Sequence, residues 1–141
     1  MRATRTVAAI AAVVAGFVAV PAPAHATAGR DVSGIDVWKR TADGLDYTFR
    51  DITIAPGGST GWHTHPGRVY GIVKDGTLTH NLADCTVDGI YQAGAGLFEP
   101  PGMEHIGRNL GSTPLVLQVL YILPAGSPLS LDQPDPGCGF A

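Results

Sequence analysis

Hydrophobic and polar residues alternate in short segments along residues 27–141, and clusters of glycine, proline and aspartate separate these segments. No segment keeps the helical period of about 3.6 residues long enough for a substantial helix. The pattern therefore predicts an all-β chain, with strands over residues 35–41, 45–54, 69–74, 77–81, 105–109 and 115–123. Short strands at such regular spacing favour a sandwich or a barrel, because both arrangements leave few strand edges exposed.

Three Asp-Gly pairs stand between apolar segments, at Asp43-Gly44, Asp75-Gly76 and Asp88-Gly89. Asp-Gly is a strong hairpin signal, because glycine adopts a positive φ without steric cost. We therefore expect three hairpins, each of which turns at one of these pairs. The third hairpin would join the short segments 86–87 and 90–91.

The N-terminal segment has the features of a secretory signal peptide. Arg2 and Arg5 precede an apolar run over residues 7–20, and Ala24-His25-Ala26 matches the small-residue cleavage pattern. The run is shorter than the roughly 20 residues that a membrane-spanning helix needs. We expect a signal peptide over residues 1–26 and a secreted, extracellular product without a membrane anchor.

Residues 27–141 are sufficient for one hydrophobic core, so we expect a single domain. They carry seven basic and twelve acidic residues, without a cluster of lysine and arginine. A protein that binds nucleic acid needs such a cluster to contact phosphates. The charge pattern therefore excludes nucleic acid as an expected partner.

The two cysteines, Cys85 and Cys138, are an even count in a chain that we expect to be exported, and export favours a disulfide. A Cys85–Cys138 bond would tie down the Pro/Gly-rich tail, residues 124–141, which cannot form a helix or a central strand. On the chain-entropy model, a bridge across a loop of this length stabilises the protein by about 4 kcal/mol. Two free thiols are the alternative.

His63 and His65 are two residues apart, and on a strand that spacing sends both imidazoles to one face. If that face is the barrel interior, both rings lose water, and a metal ion would satisfy both at once. Iron, manganese, zinc, copper and nickel all accept imidazole nitrogen. Taken alone, the two histidines could equally be exposed on a strand or hydrogen-bonded in the core.

A third histidine and its surroundings complete two gapped motifs. The chain resembles the cupins, whose first motif, G-x5-H-x-H-x3–4-E-x6-G, is matched here by Gly57, His63, His65 and Gly76. The second motif, G-x5-P-x-G-x2-H-x3-N, is matched at every position by Gly94, Pro100, Gly102, His105 and Asn109. The resemblance implies a double-stranded β-helix, or jelly-roll barrel, in which His63, His65 and His105 hold a divalent transition metal. It is also compatible with a homodimer.

The glutamate of the first motif is missing. The spacing to Gly76 puts its position at Val69, which cannot bind a metal. Three neutral imidazoles leave the ion its full charge and open coordination positions, as in catalytic rather than structural sites. The resemblance to three-histidine cupin dioxygenases implies a metal-dependent oxidoreductase that acts on a small chelating substrate. The alternative is a non-enzymatic module that binds a metal or a small molecule.

Three polar residues outside the motif positions are candidates for a catalytic role. Glu99 precedes Pro100 and could replace the missing carboxylate or act as a general base; alternatively it is a solvated charge at a strand end. His80 could line the site as a proton shuttle, or it could be an ordinary histidine in a surface hairpin. Gln118 interrupts an apolar strand and needs a polar partner, which the site or its substrate could supply.

Overall fold

The computed structural model describes residues 26–141. The predicted signal peptide, residues 1–26, lies outside this range except for Ala26. Residues 26–141 form ten β-strands and contain no helix that is long and apolar enough to cross a membrane. The strands are β1 (Arg30–Ala42), β2 (Leu45–Ser59), β3 (His63–Thr64), β4 (Arg68–Asp75), β5 (Thr77–Leu82), β6 (Val87–Gln92), β7 (Gly96–Glu99), β8 (His105–Arg108), β9 (Leu115–Pro124) and β10 (Leu131–Asp132).

The strands pair only in the antiparallel sense and form two layers. One layer has the order β1-β2-β9-β4-β7, and the other has the order β10-β3-β8-β5-β6. The long strand β2 joins them, because Ser59 at its end pairs with Arg108 of β8. The predicted all-β jelly-roll barrel is thereby confirmed.

The hairpin at Asp43-Gly44 is confirmed. It joins β1 to β2, and both turn residues have positive φ values, 52° for Asp43 and 76° for Gly44. Such a turn matches the twist of the two strands that it connects.

The other two predicted hairpins are wrong. Asp75-Gly76 takes the chain from one layer to the other, because β4 pairs with β7 and β9 whereas β5 pairs with β6 and β8. A Cβ atom at Gly76 would lie 2.8 Å from the Pro114 carbonyl oxygen, so the glycine permits a close crossing rather than a hairpin. Asp88-Gly89 lies inside β6, and the β5–β6 hairpin turns instead at residues 83–86.

The core lies between the two layers and follows the alternation of the strands. On β9 every second residue from Leu115 to Leu123 is buried, and the residues between them point outward. Ile54, Val69 and Val73 complete this face from the neighbouring strands β2 and β4. Burying such side chains drives folding, with roughly 1.5–3 kcal/mol for each one fully removed from water.

The predicted Cys85–Cys138 disulfide is present, and it links the β5–β6 turn to the tail. The tail, residues 124–141, packs on the body by further contacts. The Trp62 indole donates a hydrogen bond to the Phe140 carbonyl at 3.1 Å and stacks on the Phe140 ring. β10 pairs with β3, the strand that carries His63. The tail therefore forms part of the wall beside the three histidines.

Candidate metal centre

The sheet register brings the three motif histidines together. His63 on β3 pairs directly with His105 on β8, and His65 follows β3 on the same face. All three are buried, and one ring nitrogen from each lies within 4.8 Å of the other two. The two motifs thus converge in space although about 40 residues separate them along the chain.

Each of the three rings has one nitrogen held by a backbone carbonyl. His63 Nδ1 donates to the Gly61 carbonyl at 2.9 Å, His65 Nδ1 to the Leu129 carbonyl at 2.6 Å, and His105 Nδ1 to the Met103 carbonyl at 2.8 Å. The proton of each neutral ring is therefore on Nδ1, and each Nε2 keeps a free lone pair. A hydrogen bond to the second nitrogen is the usual support of a metal-binding histidine.

Gly61 is required by the turn that precedes His63. Its φ is +72°, and a Cβ atom there would overlap the Thr27 carbonyl oxygen. Only glycine fits both conditions. The glycine at position 61 therefore determines the backbone conformation that places its carbonyl beside His63.

Burial keeps His63 neutral. It lowers the pKa of His63 to about 3, and the neighbouring rings of His105 and His65 lower it further. A histidine must be neutral to bind a metal. His63 is therefore a competent ligand over the whole physiological pH range.

Glu99 supplies a carboxylate from the strand next to the expected one. It lies on β7 directly opposite Val69 of β4, and its side chain enters the same interior. Its Oε2 is 3.1 Å from His65 Nε2, and its Oε1 is 3.4 Å from His105 Nε2. Glu99 is 9% exposed, so the alternative of a solvated strand-end charge is wrong.

The Glu99 carboxylate is ionised in this environment. Burial alone would raise its pKa, but the imidazole rings of His105, His65 and His80 beside it hold the pKa well below its usual value. The interior therefore holds a negative charge beside several imidazole rings.

His80 on β5 also faces this interior. Its ring is 2% exposed and its centroid lies 4.8 Å from that of His105, so the alternative of a surface-hairpin histidine is wrong. His80 Nδ1 lies 3.1 Å from Asp88 Oδ2, and His80 Nε2 lies 3.5 Å from Glu99 Oε1. His80 thus links a carboxylate at the surface to the buried one.

Gln118 is not part of the group. On β9 it alternates with the inward residues Leu117 and Val119, and it pairs with Asp51 and Ile72 on the outer face of the sheet. The structure therefore brings together His63, His65, His105, Glu99 and His80 but places Gln118 elsewhere.

Three contributors to the site were missed in the sequence. Tyr121 lies on the inward face of β9, with its ring 5.5 Å from that of His65, and burial raises its pKa. Tyr121 stands an even number of residues from Leu115, Leu117 and Val119 on β9. The alternation of that strand could therefore have predicted that its side chain points inward. Asp88 and the Leu129 carbonyl had no such signal, because their roles depend on the β5–β6 register and on the path of the tail.

Two spaces adjoin the histidines. A cavity of about 260 Å³ opens to solvent, with walls that include His63, His65, Arg50, Tyr121 and Leu129. A deeper space of about 40 Å³ is lined by His63, His65, His80, Glu99, His105 and Tyr121. The deeper space has room for an ion, and the open cavity has room for a small molecule beside it.

The donor set fits a divalent metal ion. His105 Nε2 and His80 Nε2 are buried, and neither has a hydrogen-bond partner within residues 26–141. Both face the ionised Glu99 carboxylate, and two acceptors that face each other need a cation between them. Imidazole nitrogen and carboxylate oxygen are ligands that transition metals accept.

Known proteins support the fold. The model of the family "Cupin domain" matches residues 50–122, which is just over half of the chain. No curated protein sequence shows significant similarity to the chain.

Several solved structures have the same fold. The polyketide cyclase RemF from Streptomyces resistomycificus has a TM-score of 0.59 and 17% identity, and the match covers 77% of each chain. Rru_A2000 from Rhodospirillum rubrum, a cupin-2 domain, has a TM-score of 0.59 and 16% identity over 73% of this chain and 66% of that one. Oxalate oxidase in complex with glycolate has a TM-score of 0.56 and 24% identity over 71% of this chain and 53% of that one. On the match to the family model, the chain belongs to the cupin family.

Proposed function

We propose that this protein binds one divalent transition metal ion through His63, His65 and His105. The observation that carries the proposal is the hydrogen-bond pattern of the three rings. Each Nδ1 donates to a backbone carbonyl, which leaves three Nε2 lone pairs in one buried space. Iron, manganese, zinc, copper or nickel would suit these donors.

We propose further that Glu99 replaces the glutamate of the family motif, which this chain lacks because Val69 occupies its position. Its negative charge lies beside His65 and His105 and would compensate part of the charge of the ion. The electrostatic situation then resembles that of a site with a glutamate ligand, although the carboxylate comes from β7 instead of β4.

The proposed reaction class is a metal-dependent, dioxygenase-like oxidation of a small molecule that can chelate the ion. The ion supplies Lewis-acid and redox chemistry when bound. The open cavity on the side of His63 and His65 supports access by such a molecule. In this proposal Glu99 accepts a proton from a chelating hydroxyl or thiol, and the ring of Tyr121 forms one wall of the space beside the ion.

Metal content tests the first step. Protein purified without chelators is expected to hold about one equivalent of metal by elemental analysis, and His105→Ala is expected to lose it. Glu104→Ala, a neighbour of His105 outside the ligand group, serves as the control and is expected to keep it. Equal trace metal in all three proteins would contradict the proposal.

Oxygen consumption separates an enzyme from a binding module. The protein would be loaded with each candidate metal and assayed with a panel of thiols, diketones and catechols. Turnover that His105→Ala lacks would support the oxidoreductase. Metal binding without turnover on any member of the panel would favour the non-enzymatic alternative.

We also propose that the protein is exported. The N-terminal pattern and the Cys85–Cys138 bond both suit an oxidising compartment. The N-terminal residue of the protein recovered from culture medium tests this, and Thr27 is expected.

A homodimer is our proposal for the outer face of the first layer. One row crosses all five strands there through Trp38, Phe49, Leu120, Tyr70 and Phe98. We call these residues the outer row. Trp38, Tyr70 and Phe98 are each at least 40% exposed. Arg40 and Arg68 stand on one side of the row and Asp51 on the other, so a two-fold axis along the row would place opposite charges face to face.

A further inference from the structure

A second group of ligand atoms overlaps the first. One atom each from His80, Glu99 and His105 lies within 4.8 Å of the other two. His105 belongs to this group and also to the group formed with His63 and His65. All three members are buried among the residues that line the deeper space.

The hydrogen-bond partners of His80 match those of a metal ligand. Its Nδ1 faces Asp88 Oδ2 at 3.1 Å, so the ring proton lies on that side. Its Nε2 is buried, points at Glu99 Oε1 and has no hydrogen-bond partner in the described part of the chain. A carboxylate that fixes the tautomer of a histidine is a common support for metal binding.

His105 has the same arrangement, with its Nδ1 engaged and its Nε2 buried without a partner among residues 26–141. Its Nδ1 donates to the Met103 carbonyl, and its Nε2 lies 3.4 Å from Glu99 Oε1 without a hydrogen bond among residues 26–141. Glu99 Oε1 therefore faces two imidazole lone pairs at once. One cation between the three atoms would satisfy the carboxylate and both rings.

We infer that His80, Glu99 and His105 form a second, deeper position for the metal ion. This inference rests on the proposed function. His105 has one free lone pair and belongs to both groups, so the two positions exclude each other and the protein holds one ion at a time. The outer position, at His63, His65 and His105, and the inner position, at His80, Glu99 and His105, are therefore alternatives.

The two positions differ in charge and in access. The inner position includes a carboxylate, which compensates part of the charge of the ion, whereas the outer position has three neutral ligands. His63 and His65 line the open cavity, and His80 and Glu99 line only the deeper space. The inner position holds the ion away from solvent, and the outer position exposes it to a ligand in the open cavity.

Binding of Co²⁺ to single and double variants tests the inference. The purified protein would be titrated with Co²⁺ alone against a competing chelator, with visible absorption as the readout for stoichiometry, affinity and coordination. His63→Ala, His80→Ala, the double variant and His105→Ala would be compared. Phe at the same positions serves as a second replacement that keeps ring volume, and thermal unfolding establishes that each variant is folded.

The wild type, His63→Ala and His80→Ala are each expected to bind one equivalent. We expect affinity to fall by about tenfold or more in His63→Ala, and the Co²⁺ spectra of the two single variants to differ, because different ligands remain. The double variant and His105→Ala are expected to bind no Co²⁺ in the same range.

Each alternative outcome has a distinct meaning. Loss of all binding in folded His63→Ala, while the wild type and His80→Ala bind, would overturn the inner position and leave the proposed function intact. Two equivalents in the wild type would overturn mutual exclusion. A wild type that binds no Co²⁺ would overturn the proposed function together with the inference.

Asp88 provides an independent test. In the His63→Ala background, Asp88→Asn is expected to weaken Co²⁺ binding by about 10- to 100-fold, because it removes the charged partner of His80 Nδ1. Asp43→Asn, in the exposed β1–β2 turn, is the matched control and is expected to leave the affinity unchanged. Equal affinities in the two variants would contradict a supporting role for Asp88.

Discussion

At the scale of single residues, the buried carboxylate beside the three histidines belongs to Glu99, which lies one strand away from the motif position at Val69. Val69 and Glu99 are directly opposite each other on β4 and β7, so their Cβ atoms share one face at a spacing of about 5 Å. A long side chain on either strand can therefore reach the same interior space. We therefore expect a glutamate on either strand to serve the site.

The exchange can be tested with a swap. Glu99→Val is expected to lower divalent metal affinity by about tenfold or more, because the buried negative charge is lost. Adding Val69→Glu should restore most of the affinity, since the carboxylate returns from the opposite strand. Competition titration with Co²⁺ measures both steps. A double variant that binds no better than Glu99→Val would show that the position of the carboxylate on β7 matters.

Gly61 gives a second prediction at this scale. Gly61→Ala should destabilise the protein by about 2 kcal/mol or more, because positive φ and overlap with the Thr27 carbonyl act together. Gly44 also has a positive φ, 76°, but a Cβ atom there would meet nothing within 4 Å. Gly44→Ala is therefore expected to lower the free energy of unfolding by only about 1 kcal/mol. Urea unfolding compares the two. Equal losses would mean that contact with Thr27 adds no cost.

At the scale of elements, the sequence predicts most of the strands. It does not predict a strand or a turn whose position depends on which strands pair with each other. The pattern predicted β1, β2, β4, β5, β8 and β9. One face is buried on β4 and β9, whereas β5 and β8 are buried on both faces over most of their length. The pattern did not reveal β6 as one strand, because Asp88-Gly89 has the composition of a turn. Gly89 has no positive φ in the structure, and the actual turn at residues 83–86 has no Asp-Gly pair.

The site shows the same division. The three motif histidines were predicted from spacing, and the structure brings their ring nitrogens together. Neither the burial of Glu99 nor that of His80 could be decided, because each depends on its neighbours across the sheet. The partner of Val69 is set by a β4–β7 register that no local pattern specifies. Gln118 was singled out only because it is polar within an apolar strand. Inward and outward residues alternate along β9, and Gln118 is one of the outward residues.

The β5–β6 turn and the tail form one covalently linked unit. Cys85→Ser with Cys138→Ser is expected to lower the free energy of unfolding by about 4 kcal/mol, since the bridge closes a loop with a sequence separation of 53. Urea unfolding of the double variant against the oxidised wild type measures this. The wild type under reducing conditions is the control and should match the variant. A loss well under 1 kcal/mol would mean that other tail contacts suffice.

At the scale of the whole molecule, the outer row is the exposed apolar surface that we assign to a second copy. Sedimentation of the wild type is expected to show a dimer, and Tyr70→Glu with Phe98→Glu should shift it to a monomer, because two charges would enter the contact. Ile90→Glu, an exposed apolar residue on β6 of the other layer, is the matched control and should leave the dimer intact. A monomeric wild type would contradict the pairing.

The Leu129 carbonyl connects the tail to the histidines, because it holds His65 Nδ1 from within residues 124–141. The Cys85–Cys138 bond gives that tail a second covalent link to the body, in addition to the peptide chain that leaves β9. The bond therefore limits the movement of the tail segment that holds this carbonyl, and we expect it to favour binding of the ion. When both thiols are reduced, noncovalent contacts such as the β10–β3 pairing would have to hold the Leu129 carbonyl beside His65, so we expect weaker metal binding in a reducing compartment.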